Sequence, residues 1–201
     1  MTAALLLLGL AALFAFTRSH WLDDWDSVNF AFGVDDFDVT KHWPHPRGYP
    51  VYIAAGKLAY SVIADHAAAL TLVSALSAAA VASLFYVLER RNSNWPVALC
   101  ATLIMALSPL FWLQSGLALT DMFGMVFVAG FMLVEGTTTT TPRGALVKRI
   151  ACGLIAGLSV GARPQITLLI VVYWCFRAHR PFEVRHFLTR CLPLPWVSPP
   201  G

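Results

Sequence analysis

Between Trp95 and Val134 forty consecutive residues carry a single charge, Asp121. The surface of a water-soluble domain does not read like this, because about a quarter of such a domain's residues are charged. The run is long enough for two helices of the ~20 apolar residues that cross a bilayer. Residues 1–17 and 67–88 carry no charge, and 150–176 carry only Arg163. With 58% hydrophobic and 12% charged residues, the expected fold class is all-α, a polytopic transmembrane helical bundle. Spans are expected at about 1–17, 67–88, 95–113 and 117–135, with a turn near Gln114–Gly116. The first run has no basic stretch before it and no small-residue cleavage site before Arg18, so a retained helix is favoured over a signal peptide.

The basic residues orient these spans. Arg90 and Arg91 follow the second run. Arg143, Lys148 and Arg149 lie in 136–149, and Arg177, Arg180, Arg185 and Arg190 lie in 177–190. An excess of Lys and Arg marks cytoplasmic loops, so these three segments are expected inside. The 18–48 loop, with six of the eleven acidic residues, is then outside. Arg18 conflicts with this assignment. The expected location is the plasma (inner) membrane, with the site facing the periplasm or exterior.

Parity then requires 150–176 to enter and leave on the same side. Its halves, 150–162 and 164–176, are each about 20 Å long as helices, short of the ~30 Å hydrocarbon core. Proline disfavours helical geometry in the residue before it, so "GARPQ" is read as the tip of a helical hairpin carrying Arg163. One tilted, proline-kinked span is the alternative. A crossing at 49–64 would place Arg90 and Arg91 outside, so that segment is read as a helix that lies at the outer interface or leads obliquely into the second span.

In the outer loop Trp21, Trp25, Val28 and Phe32 recur at helical spacing. An amphipathic helix in the interface plane suits that pattern. Asp26 and Asn29 share another face. A carboxylate in a partly dry cavity can act as a base, although a single aspartate is more often part of a solvated loop. Asp121 and Arg163 are candidates because charge within a span is costly and guanidinium grips phosphate or carboxylate through two donors. A purely structural bridge between the two is the plainer reading. Metal binding is a third option, since Asp and His are both available, but no helical His pair has ligand spacing, so no metal is assigned and a divalent ion is the lesser alternative. Cys100, Cys152 and Cys175 lie in apolar runs and read as buried small hydrophobes. With Cys191 they form no CxxC pair. A net charge of +3 without an Arg-rich stripe excludes a nucleic-acid partner.

"DSVNFAFG" followed by "HPRGYPVYI" resembles the first outer loop of the GT-C fold polyprenyl-phosphate-sugar-dependent glycosyltransferases, which include protein mannosyltransferases and the lipid A aminoarabinose transferase. "LALTDMFGMVF" resembles the family's T-D segment at its fourth span, and "GLIAGLSVGARPQITLL" its hairpin ending in a basic residue and proline. The resemblance covers about residues 20–176 and implies inverting sugar transfer from a polyprenyl-phosphate donor to a lipid, glycan or protein acceptor hydroxyl, without a cofactor. It implies Asp26 as base, with Asp24 as the fallback, and Asp121 as a second carboxylate. Arg163 would face the lipid phosphate, with His45 and Arg47 held over that site by "HWPHPRGYP". Arg47 stands where the family has the second proline of H-P-P-G. Family members are much longer, so residues 1–176 are expected to form the N-terminal module and 177–201 a truncated cytoplasmic tail. Two other readings stand beside the enzyme: a transporter using Asp121 and Arg163 as a relay pair, and a non-catalytic or decayed membrane subunit.

Overall fold

The computed structural model describes residues 2–44 and 48–178. Its elements are α1 (Thr2–Thr17), α2 (Trp25–Asp35), a 3-10 turn (Val39–Lys41), α3 (Pro50–Ile63), α4 (His66–Glu89), α5 (Trp95–Ala106), α6 (Pro109–Gly116), α7 (Asp121–Glu135), α8 (Pro142–Ala162) and α9 (Pro164–Ala178). Among the described residues there is no strand, only an isolated bridge between Asp38 and Trp43. Two compact units are present, residues 1–170 and 171–201. In the second, the described residues form the C-terminal half of α9. The cytoplasmic tail expected at 177–201 lies almost wholly outside the described residues.

Helix α4 is the hub of the first unit, packing against α1, α2, α3, α5, α6 and α7. Its sequence explains this role. Ala69, Ser74, Ala75, Ala78, Ala79 and Ala82 are buried along it, and small side chains let neighbouring backbones approach closely. The hydroxyls of Ser77 and Ser83 bond back to the carbonyls of Val73 and Ala79, so neither leaves a buried donor unpaired. Leu10 and Phe14 of α1 and Phe111 of α6 fill one core against the alanines. Phe30, Val34, Tyr52, Ile53 and Leu70 fill a second, between α2, α3 and α4.

Helices α4 and α8 are long and apolar enough to cross a membrane, and α5 with α6 makes a third candidate if the bent pair counts as one span. Much of their surface is apolar: Leu76, Ile104, Leu110 and Leu154 are all exposed, which a soluble monomer avoids over wide areas. Cys100 is exposed as well, as is Cys175, contrary to the buried reading.

Three boundaries differ from the sequence reading. Helix α8 starts at Pro142, inside the segment read as a loop, because Thr141 caps it by accepting the Gly144 N–H at 3.1 Å. Arg143, Lys148 and Arg149 therefore lie in its first turns. Their charges suggested a loop, but a helix end at an interface tolerates them. The stretch read as one span over 95–113 is instead broken between α5 and α6 with a 63° bend, since Pro109 cannot donate to the helix before it. In α2, Trp21 precedes the helix and Trp25 and Phe32 are exposed, while Phe30, Ala31 and Val34 form the buried face.

The end of α7 gathers cations. Arg91 Nη2 donates to the Leu133 carbonyl at 2.9 Å. Lys148 Nζ donates to the Glu135 carbonyl at 2.6 Å and pairs with its carboxylate at 3.4 Å. The last carbonyls of a helix lack partners and carry partial negative charge, so cations settle there. Arg18, the residue that conflicted with the charge assignment, plays the same part for α1: its Nη1 donates to the Ala15 carbonyl.

The loop before α3 closes onto α2 at Gly33. A Cβ there would lie 2.8 Å from Pro44 Cδ and 3.0 Å from Pro44 N, atoms of a rigid ring and backbone. Gly33→Ala is expected to lose about 1–3 kcal/mol through overpacking. Denaturant titration in detergent checks this, and an unchanged midpoint would contradict the close fit.

Candidate functional site

Helix α7 opens with Thr120 and Asp121. An acid in the first turn is favoured by the helix dipole. Thr120 makes no capping bond with its side chain; its hydroxyl instead accepts from Arg163 Nη1. Arg163 lies between α8 and α9 with φ −160° and ψ 97°, the extended geometry that the following proline favours. Gly124, one turn into α7, makes room for it. A Cβ there would lie 3.0 Å from Arg163 Cβ and 2.9 Å from Ile166 Cδ1. The break between the two helices therefore approaches α7 closely, and Arg163 Nη2 meets Asp121 Oδ1 at 3.0 Å. Both side chains keep about a quarter to a third of their surface open, 26% and 30%, so solvent or a ligand can still reach them.

Tyr52 of α3 packs against the first turn of α7. It is fully buried, with its ring edge-on to Phe30 at 5.0 Å and to Phe123 at 5.6 Å. Ser74 of α4 donates to the Leu119 carbonyl at 3.0 Å, which fixes the residue just before Thr120. The Tyr52 hydroxyl stands beside the Ser74 hydroxyl, its hydrogen-bonding neighbour on α4. Polar groups of α7 and the α8–α9 break thus meet at Arg163, and Ser74 of α4 holds the turn just before Thr120. Behind the break, Ser159 and Thr167 share a 2.9 Å hydrogen bond that ties α8 to α9.

Asp24 and Asp26 sit at the start of α2 in different roles. Asp24 is the N-cap: its Oδ1 accepts the Asp26 N–H at 2.8 Å, and Ser27 Oγ accepts the Asp24 N–H at 3.1 Å. This reciprocal pair is a capping box, and it occupies the Asp24 carboxylate with backbone. Asp26 is half-buried in the first turn. It lies one turn before Phe30, the residue that carries α2 onto Tyr52. Asn29 is buried on the same side. His45 and Arg47 lie outside the described residues. The flanking positions are constrained: Gly48 has φ +72° and Tyr49 φ +43°, left-handed geometry that glycine takes without cost and tyrosine does not.

Sequence reasoning singled out Asp121 and Arg163 as lone charges in apolar runs, and the fold pairs them. It missed Tyr52, Ser74 and Thr120. A tyrosine or serine in an apolar helix gives no periodic signal that separates a core residue from a site residue. Among the described residues no three His, Cys, Asp or Glu side chains converge as a ligand set for a metal. A cation clamped between a hydroxyl and a carboxylate and partly open suits recognition of an anionic oxygen group. No family model, curated protein or solved structure matches the chain.

Proposed function

We propose that this chain is a multi-pass inner-membrane glycosyltransferase module of GT-C type. It moves a sugar, with inversion, from a polyprenyl-phosphate donor to an acceptor hydroxyl on the extracytoplasmic side. The observation that carries this reading is the partly open Arg163–Asp121 pair, 3.0 Å apart, held among apolar helices. Arg163 receives the phosphate of the donor as the sugar leaves, because a preorganised cation helps most where charge develops. Asp26 takes the proton of the acceptor hydroxyl, and Asp121 holds the sugar or acceptor. Asp24 is the weaker candidate for base, since its carboxylate caps α2.

The depth of the pair supports the assignment. From Asp121 to Glu135, where Arg91 and Lys148 gather, α7 rises about 21 Å. If those cations mark the cytoplasmic interface, the pair lies within the outer part of a ~30 Å hydrocarbon core. The phosphate of an outer-leaflet lipid lies just beyond that core, in the headgroup layer, so a pair on the outer side of the midplane is within its reach if the headgroup sinks by about 10 Å, its tail lying among the exposed apolar side chains.

The test is transfer of radiolabelled sugar from a polyprenyl-phosphate donor to a membrane acceptor in proteoliposomes carrying the chain. Labelled product that depends on the lipid-phosphate donor is the expected result. Solute flux across sealed vesicles, lost in Asp121→Asn and without any sugar transfer, would replace this reading with a transporter. The 63° break between α5 and α6 is the observation that favours the transporter.

A further inference from the structure

The end of α7 opposite Asp121 carries more positive charge than its own structure uses. Arg91 from α4 and Lys148 from α8 both reach the last turn of α7, so these three helices come together there. Residues 89–97 and 133–150 hold Arg90, Arg91, Arg143, Lys148 and Arg149 against only Glu89 and Glu135. Lys148 is paired with Glu135 at 3.4 Å. Among the described residues no carboxylate forms an ion pair with any of the four arginines, and all four are exposed.

Capping of helix ends explains part of this set. Arg90 Nη1 donates to the Ser93 carbonyl and Arg91 Nη2 to the Leu133 carbonyl. A carbonyl holds a guanidinium in place without cancelling its charge. Arg143 is the second residue of α8, where the helix dipole disfavours a cation, so capping gives no reason for it.

Arg91 is the most firmly seated of the four. A Cβ at Gly136 would collide with its Nη1, so the absent side chain lets the guanidinium lie against the end of α7. Its bond to Leu133 uses one of five N–H donors. The rest form a fork already oriented for an anionic oxygen group. The same two segments also expose apolar side chains. Trp95 is 59% exposed, and Val97, Leu146, Val147 and Ile150 are open as well. Cations beside open aliphatic side chains and a tryptophan match the two parts of a phospholipid, a phosphate in the headgroup layer and chains beneath it. A soluble phosphate ester would use the cations alone.

We propose that this end of the bundle binds an anionic phospholipid, with Arg91 seating the headgroup phosphate and Arg90, Arg143 and Arg149 supplying the surrounding positive field. By the positive-inside assignment the lipid belongs to the cytoplasmic leaflet, whose anionic lipids attract such clusters. The site is separate from the Arg163–Asp121 pair and needs no sugar transfer, so failure of the transferase reading leaves it standing.

Native mass spectrometry of the purified full chain in detergent tests it, with phosphatidylglycerol and phosphatidylcholine of identical acyl chains as probes. Phosphatidylglycerol is expected to bind at least roughly tenfold more tightly in dilute salt, a preference that shrinks as ionic strength rises. Arg91→Gln should lose about fivefold in phosphatidylglycerol affinity, the worth of one cation near an anionic surface, while phosphatidylcholine binding stays level. Arg149 is exposed in the interior of α8, so Arg149→Gln keeps the test open even if Arg91→Gln fails to fold, with a loss of about two- to fivefold expected. Lys57→Gln, which removes an exposed cation of α3, should change nothing. Equal affinity of wild type for the two lipids would overturn the proposal, as would unchanged phosphatidylglycerol affinity in both arginine variants. A loss in Lys57→Gln as large as in those variants would also overturn it, because net charge alone would then account for binding. Glycerol phosphate bound as tightly as phosphatidylglycerol would replace the lipid with a soluble phosphate ester.

Discussion

Arg163→Ala is expected to lower sugar transfer by about 10²–10³-fold, the loss typical of removing one preorganised donor from a developing anion. The same change leaves Asp121 without its cation. Breaking a fully buried pair costs about 3–5 kcal/mol, but this pair is open by roughly a quarter to a third, so about 1–2 kcal/mol of stability is the expected loss once screening is allowed for. Arg163→Lys separates charge from geometry. Lysine keeps the positive charge but has no planar fork to hold Thr120 and a second oxygen together. Its rate should fall between those of alanine and wild type. Initial rates in proteoliposomes, read beside denaturation midpoints, check both effects. Rates unchanged in Arg163→Ala would remove Arg163 from the reaction and leave it a structural bridge.

Asp26→Asn is the second large effect. The substitution is nearly isosteric and preserves the start of α2, yet it removes the base, for which a loss of about 10²–10⁴-fold is typical. The neighbouring Asp24 gives the contrast. Asp24→Ala removes a capping carboxylate that accepts a backbone N–H at 2.8 Å, so it should cost about 1 kcal/mol of stability with a far smaller change in rate. Full transfer by Asp26→Asn together with collapse of transfer in a folded Asp24→Asn would exchange the two assignments. Asparagine caps a helix about as well as aspartate, so that second variant isolates the carboxylate charge.

The sequence carried the helices because apolar runs, proline and capping residues act locally. Thr141 with Pro142, Asp65 before α4 and Asn94 before α5 each satisfy the first free N–H groups of their own helix. Length was less legible. The charges of Arg143, Lys148 and Arg149 hid the start of α8, because a helix end at an interface and a polar loop have the same composition. The bend at Pro109 was hidden for the opposite reason: a charge-free run gives no sign of where it turns.

Composition and local spacing by themselves determined that this chain is helical and apolar, that Asp121 and Arg163 stand alone in their runs, and that the chain breaks at Arg163. Those properties depend on each residue and its near neighbours. Only the tertiary structure brought Arg163 to Asp121 across 42 positions. The absent side chain of Gly124 gives the room for that approach. The tertiary structure also buried Tyr52 between Phe30 and Phe123. Which polar groups share a level is fixed by how the small residues of α4 let its neighbours pack, and that three-dimensional fit has no signature along the chain.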